Sequence, residues 1–316
     1  MKVVVTGAAG FIGGETLLKL VDAGHDVLAI DRVMPPGQLI PVPCSWHTGD
    51  FSTELGLDAI KLFCPDAIVH CAGTSLVGPS VQDPEEYYNN NFVKTKILLD
   101  YLVKNHDKQV RFIFSSSAAT YGNPIMTPVQ EVDPTEPISP YGQSKLMVDW
   151  MLSSYRRAYS LDFVSFRYFN ACGADSQARH GQAPGATHII ARVLESIKNK
   201  QHFILYGDDY PTADGTCVRD YIHVEDLAEA HIVGIDRQIP SGIYNLGTNT
   251  GYSNLEIIKE AARVTTNNIS MIPGPKRDGD PATLTADAGK FMSVSSWRPK
   301  FGITDIVTHA WAWYNR

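Results

Sequence analysis

The chain has 316 residues, 44% of them hydrophobic and 19% charged, which is enough apolar sequence for one large α/β domain or two smaller ones. A net charge of −7, with no run of five Lys/Arg, argues against a nucleic-acid or anionic-membrane surface. The cysteines (Cys44, Cys64, Cys71, Cys172, Cys217) are odd in number, scattered and without a C-x-x-C pair, which argues against a zinc site or a disulfide framework and fits a reducing cytosol.

MKVVVTGAAG begins a strand at once and lacks the apolar stretch of a signal peptide, and no apolar run approaches the ~20 residues that span a bilayer. The expectation is a soluble cytoplasmic protein. Almost wholly apolar runs predict strands at 2–6, 26–30, 67–71, 110–115 and 162–166, and longer amphipathic stretches predict helices at 11–23, 54–63, 85–105 and 142–160. Strands so apolar are buried on both faces, so the alternation predicts a doubly wound, Rossmann-type parallel sheet with ligands at the carboxyl ends of its strands.

Beyond about residue 170 the pattern changes. A loop at 172–186 precedes a helix at 188–199, a strand at 203–206, an aperiodic loop at 210–220, a helix at 224–237, a strand at 243–246 and a helix at 254–264. The polar stretch 273–281 reads as another exposed loop. The expectation is a dinucleotide-binding domain over 1–170, rejoined by part of 210–245, and a smaller α/β substrate domain over 171–316 laid over the sheet edge.

GAAGFIG sets Gly7, Gly10 and Gly13 between the first strand and the first helix, where glycines permit a tight turn and backbone N–H groups can approach a pyrophosphate. Eighteen residues after Gly13, Asp31 ends DVLAID, where a carboxylate accepts both ribose hydroxyls and repels a 2′-phosphate, favouring NAD over NADP. Asp50, in HTGDF, could take the adenine amino group from the end of a third strand or simply form a turn. Cys71, Ala72 and Gly73 end a strand with small residues that let the backbone pass close to a cofactor, Cys71 reading as a small buried hydrophobe.

FIFSSSAATYG empties a strand into Ser115, Ser116 and Ser117, and SPYGQSK follows with Tyr141 and Lys145 on one helix face. A free tyrosine with a pKa of about 10 must be lowered by about 4 kcal/mol to act as a base near neutrality. One cation at ~4 Å supplies about that much at an effective dielectric near 20, so a close Lys145 is expected to be a sufficient cause.

The chain resembles the extended short-chain dehydrogenase/reductase family, and within it the UDP-glucose (UDP-galactose) 4-epimerases. HCAG, SSSAATYG, SPYGQSK, RYFNACGA, GDDYPTADGTCVRDYIHVEDLA and RDGDPATLTAD carry the resemblance, which covers essentially the whole chain. It implies Tyr141 as base, Ser117 as its hydroxyl partner, and Lys145 on the nicotinamide ribose. It further implies NAD contacts at Phe11, Ile12, Asp31, Arg32, Asp50, Phe51, Asn91, Ser115 and Phe169. Asn170, the Leu205–Tyr206 backbone, Arg219, Arg277 and Asp280 match positions that hold the UDP part, where a guanidinium fork suits a diphosphate. The implied reaction is 4-epimerisation of UDP-glucose by oxidation and re-reduction at C4, in a homodimer built through helices 85–105 and 142–160.

UDP-N-acetylglucosamine is an alternative substrate, because Leu284 stands where relatives carry either a bulky aromatic or a small residue, and UDP-pentose and UDP-glucuronate are further alternatives. Ser75 stands where many epimerases carry a lysine that reaches the cofactor, implying weaker NAD retention. Nucleotide-sugar dehydratases and decarboxylases share the fold, but relatives of both types carry an acid where this chain has Ala118 and Ala119. A small-alcohol oxidoreductase would not need Arg219 and Arg277, and a non-catalytic NAD-binding protein would not need Ser117, Tyr141 and Lys145 together. No metal is expected.

Overall fold

Short apolar runs alternating with amphipathic stretches build one seven-stranded sheet covered by helices on both faces. The computed structural model describes residues 1–34, 42–105, 109–276 and 280–316, so the role expected of Arg277 falls outside the described residues. Strands β1 (Lys2–Thr6), β2 (Asp26–Asp31), β3 (Ser45–Thr48), β4 (Ala67–His70), β5 (Arg111–Ser117) and β6 (Phe163–Tyr168) follow in chain order. The chain then leaves the sheet through β7 (Asn170–Cys172), β8 (Phe203–Tyr206) and β9 (Val218–His223), and returns as β10 (Gly242–Leu246). Every pairing is parallel, in the order β10-β6-β5-β4-β1-β2-β3.

Side chains alternate across each strand, so one run of valines feeds two cores. Val3 and Val5 join Leu17, Leu18, Leu227 and Ala230 from helices Phe11–Asp22 and Val224–Gly234. Val4 faces the other way, with Ile60, Leu98, Leu99, Val148 and Leu152 from helices Glu54–Phe63, Lys94–Asn105 and Pro140–Tyr159. The strand order reverses between β1 and β4, which opens a crevice at their carboxyl ends.

β11 (Gly251–Ser253), β12 (Met271–Gly274) and β13 (Thr283–Leu284) complete the strands. β9 is the centre of a second sheet, antiparallel to β11 and parallel to β13 and β7, while β8 pairs β12 separately. Helices Ile189–Lys198, Asn254–Thr265 and Ile303–Tyr314 enclose Ile190, Leu194, Ile257, Ile258, Ile306 and Val307 in a core of their own. Buried Arg111 fastens the return crossing. It donates to the Gly234 and Ile239 carbonyls at 2.6 and 2.7 Å and to Asp162 at 2.7 Å.

Three expectations need correction. The helix expected at 85–105 is broken: a short turn, Pro84–Tyr87, passes through a π-helical stretch, Tyr88–Val93, before helix Lys94–Asn105. The loop expected at 210–220 ends early because β9 begins at Val218, its Arg219 and Asp220 having hidden a strand whose last four residues are buried. The stretch 273–281 begins inside β12, and helix Ile303–Tyr314 was not foreseen at all. No helix among the described residues is long and apolar enough to cross a membrane.

Candidate functional site

The cradle for a dinucleotide forms where backbones come closer than side chains allow. After β1 the chain turns at Gly7 (φ +73°) into helix Phe11–Asp22. A Cβ on Gly7 would lie 2.6 Å from the Ala72 nitrogen, and one on Gly13 would lie 2.1 Å from the Gly7 carbonyl oxygen. The first-turn N–H groups of this helix lack intrahelical partners, and Phe11, Ile12 and Gly13 all line the main cleft. Asp31, at the end of β2, accepts from the Ala9 N–H at 3.0 Å and the Val33 N–H at 3.2 Å. It borders a recess of about 170 Å³ with Arg32, Asp50, Phe51, Ala72, Gly73 and Lys94. A glycine cradle at a helix start, with a carboxylate at the next strand end, fits an adenine dinucleotide.

Asp50 is engaged by Lys94 at 2.7 Å and by Ser52. Burial would raise its pKa, but these partners outweigh burial and hold the carboxyl below its ordinary value. Asn91 is buried by the π-helical stretch and does not line either hollow. Its Oδ1 accepts the Thr74 N–H at 2.7 Å, and its Nδ2 donates to the Thr74 carbonyl and to Ser144 Oγ. Its contribution is to pin the turn after β4, against which Gly73 lies.

Opposite the cradle, β5 ends in the three serines and helix Pro140–Tyr159 begins. Ser139 caps that helix by accepting the Gly142 N–H at 3.2 Å, and Pro140 occupies its first turn. Tyr141 and Lys145 lie one turn apart on it, facing the cleft. Lys145 is 5% exposed, donates to the Ser115 carbonyl at 2.8 Å, and lies 4.9 Å from the Phe114 ring centroid. Burial lowers its pKa to about 8. Ser115 Oγ donates to Cys71 at 3.1 Å and accepts from Tyr168 at 2.7 Å, Tyr168 also being bonded to His231. Burial pushes the Cys71 thiol up to about 11, so it is protonated and inert near neutral pH.

Tyr141 does not behave as Lys145 alone was expected to make it. The ammonium is 6.0 Å from its ring centroid. Burial raises the phenol's pKa, a hydrogen bond with Ser117 lowers it by less, and Tyr87, edge-on at 6.4 Å, raises it again. The phenol is therefore neutral until further positive charge reaches the cleft.

The cleft measures about 420 Å³, and its far wall holds Phe169 and Asn170 at the break between β6 and β7, with Arg219, Asp280, Pro281 and Leu284. β9 and β13 bring Arg219 and Leu284 into register. Arg219 pairs with Asp280 and donates to the Val218 carbonyl at 2.8 Å, so much of its charge is balanced. Leu205 is buried in the C-terminal core, and neither it nor Tyr206 lines the cleft. Ala118, Ala119 and Ser75 do line it. Val77, Ile138 and His188 also line it, although sequence reasoning did not single them out. A lone histidine before a helix carries no local signal of such a role.

The sheet, the cradle and the Ser117/Tyr141/Lys145 group define a Rossmann-type enzyme that uses a nicotinamide dinucleotide. The model of the NAD dependent epimerase/dehydratase family matches residues 3–247, and the chain belongs to that family. It is 40% identical to a UDP-glucose 4-epimerase of Halalkalibacterium halodurans over 323 residues, covering 99% of this chain and 96% of the relative. Another UDP-glucose 4-epimerase, from Lactobacillus helveticus, is also 40% identical over 99% of this chain and 97% of its own. Among solved structures, a UDP-glucose 4-epimerase from Bifidobacterium longum in complex with NAD⁺ and UDP superposes with a TM-score of 0.92 at 36% identity, over 100% of this chain and 98% of that one. One from Stenotrophomonas maltophila, with bound NAD and formylated UDP-arabinopyranose, gives 0.94 at 32% identity over 100% and 98%.

Replacing Gly13 by Ala should abolish NAD retention, because the added methyl meets a backbone oxygen that cannot swing aside. The nucleotide content of purified protein, read by ultraviolet absorbance after denaturation, checks this; retention equal to the parent protein would remove the cradle from the site.

Proposed function

We propose that the protein is an NAD-dependent 4-epimerase interconverting UDP-glucose and UDP-galactose. The observation that carries this reading is that Ser117, Tyr141 and Lys145 share one cleft with the glycine cradle on one side and Arg219 on the other. The cradle would hold NAD, whose nicotinamide would supply the hydride acceptor for C4 of the sugar and then return the hydride to its opposite face. Gly7, Gly10, Gly13 and Asp31 hold its adenosine diphosphate half, and Lys145 donates to the nicotinamide ribose.

Tyr141 takes the proton of the 4-hydroxyl, directly or through Ser117, and gives it back at the end of the cycle. Lys145, together with the positive charge an oxidised nicotinamide would supply, would let the buried phenol ionise. Arg219, Asn170 and Asp280 hold the UDP part and Leu284 borders the sugar. Anchoring by the nucleotide leaves the sugar free to turn over, so binding energy and chemistry rest on different contacts. Ala118 and Ala119 supply no acid beside C4, which supports inversion over elimination.

Residues 1–170, with the returning helix Val224–Gly234 and β10, form the NAD-binding domain, and the remainder binds the nucleotide sugar. A cytoplasmic location accords with the free cysteines. Exposed Val93, Ile97 and Trp150, on the stretch 88–105 and helix Pro140–Tyr159, support a homodimer through that face. Light scattering at micromolar concentration should give about twice the 34.8 kDa chain mass, and a monomeric mass would remove the dimer.

Incubation with UDP-glucose and no added reductant should yield UDP-galactose by NMR, and the same assay with UDP-N-acetylglucosamine reads how far Leu284 opens the sugar site. No epimer from any UDP-sugar would overturn the proposal. Tyr141→Phe should lower kcat by about 10²–10⁴ while UDP affinity is kept.

The Lys145 ammonium loses its charge as pH rises through about 8, so kcat/KM should fall above that pH. Lys145→Arg should move the alkaline limb upward, since a guanidinium stays charged. An unchanged limb would show that Lys145 is not the group being read.

A further inference from the structure

Behind the cofactor helix lies a cluster of three buried carboxylates that the reaction does not use. Glu15 comes from helix Phe11–Asp22, Asp175 from the segment after β7, and Glu225 from the first turn of helix Val224–Gly234. One oxygen of each lies within 4.8 Å of the others. Glu15 is 0% exposed, and neither of its oxygens receives a hydrogen bond among the described residues.

The other two carboxylates are fully engaged. Asp175 Oδ1 accepts from the Gln177 and Arg179 N–H groups and from Arg179 Nε, and its Oδ2 accepts from Arg179 Nη2 at 2.7 Å. Glu225 accepts from Lys19 on one oxygen and from the Ser176 N–H on the other. Arg179, shared with Asp22, and Lys19 are thus already paired, and a further charge on the fully buried Glu15 would have no counter-ion. A bare buried carboxylate is costly enough that such groups take up a proton instead.

We propose that Glu15 is held as a neutral carboxylic acid whose O–H donates to the Asp175/Glu225 pair, forming a proton-dependent clamp on the cofactor helix. Burial, reinforced by the charges of Asp175 and Glu225, pushes Glu15 up to about 8 against the pull of Lys19 and Arg179. The clamp reaches both functional sides of the molecule. From the same segment, His180 Nε2 lies 2.9 Å from the Phe11 carbonyl at the helix start, and Arg179 lies 2.9 Å from Asp22 at its end. Immediately upstream, β7 supplies Asn170, and with it Ala171, to the cleft wall. Ionising Glu15 puts an unbalanced charge between the helix and this segment, loosening cradle and wall together.

The charged groups acting on Glu15 are Lys19 on its own helix, Asp175 and Arg179 on the segment, and Glu225 at the start of the next helix, with Asp22, His180 and His223 bonded around them. Burial keeps His180 and His223 neutral near pH 7, the latter at about 4. Despite burial, their partners hold Asp175 and Glu225 ionised and Lys19 charged, and hydrogen bonding to Asp175 does the same for Arg179. Oxygens spaced like these could also surround a divalent cation. Every oxygen of Asp175 and Glu225 already accepts from a donor, however, so the cluster has a place for a proton on Glu15 and few free oxygens for a cation.

A carboxyl whose folded pKa is raised contributes its full stability below its ordinary value of 4.5 and loses it as pH climbs toward about 8, with no further loss above. Urea unfolding of the parent protein and of Glu15→Gln, from about pH 5 to 9.5, tests this. The folding constant of the parent should fall relative to the variant by up to about tenfold per pH unit and run parallel above about pH 8. NAD release, which alone rests on the epimerase reading, should rise for the parent as pH passes through about 8, where Glu15 ionises in the folded protein, and stay flat for the variant.

If Glu15→Gln fails to fold, the parent protein labelled with carbon-13 at glutamate decides. The infrared carbonyl band of a protonated glutamate should be present near pH 6 and lost by about pH 9.5. A pH-independent difference between parent and variant, or no such band, would overturn the clamp. So would calcium or magnesium chloride, added after EDTA treatment, that stabilises the parent and leaves Glu15→Gln unmoved, since the site would then belong to a metal.

Discussion

The arrangement depends on β1 and β4 being neighbours while the connections that follow them leave for different places. The backbone after β1 must turn sharply, and the backbone after β4 must pass beside it at less than side-chain distance. Gly7, Gly13 and the Ala72–Gly73 turn meet that constraint, and it opens the crevice into which everything else points. Asn91 serves the same geometry from the outside by clamping the Thr74 backbone through three hydrogen bonds shared with that turn and with Ser144. The helix carrying Tyr141 and Lys145 is in turn held to the sheet by the Lys145 bond to the Ser115 carbonyl.

Burial does as much electrostatic work here as charge. It lowers the lysine to about 8 and raises the tyrosine and the Cys71 thiol, so Lys145 titrates close to neutral pH while the phenol and the thiol stay protonated. A phenol raised in this way is a poor base on its own. Under the epimerase reading it would become a base only when the occupied cleft adds positive charge, which would confine proton removal to the complex that can use it.

What was legible in the sequence was local. The glycine loop, the apolar strands and the Tyr141–Lys145 spacing each lie within a few residues, where backbone sterics and helical periodicity leave a clear pattern. The family resemblance extended this to Arg219 and Leu284, which strand register brings to one wall. The rest depended on contacts remote in sequence. Nothing near Asp50 announces its pairing with Lys94, and nothing near Asn91 announces the π-helical stretch that turns it inward. The Lys145 effect on Tyr141 was overestimated because spacing fixes which face a side chain occupies, and not how far its charge lies from a given ring.

The two sheets are joined by chain crossings close to the cleft: β6 runs through Phe169 into β7, β9 runs into helix Val224–Gly234, and β10 leads on to β11. A hinge needs a few residues free to change their backbone angles, and here at least these three joints would have to bend in concert. All three leave strands already locked in hydrogen-bonded ladders. The consequence is a vessel of fixed width. Under the epimerase reading, reorientation between the two half-reactions is a tumbling of the sugar inside stationary walls, and its rate is governed by how loosely those walls fit the ring.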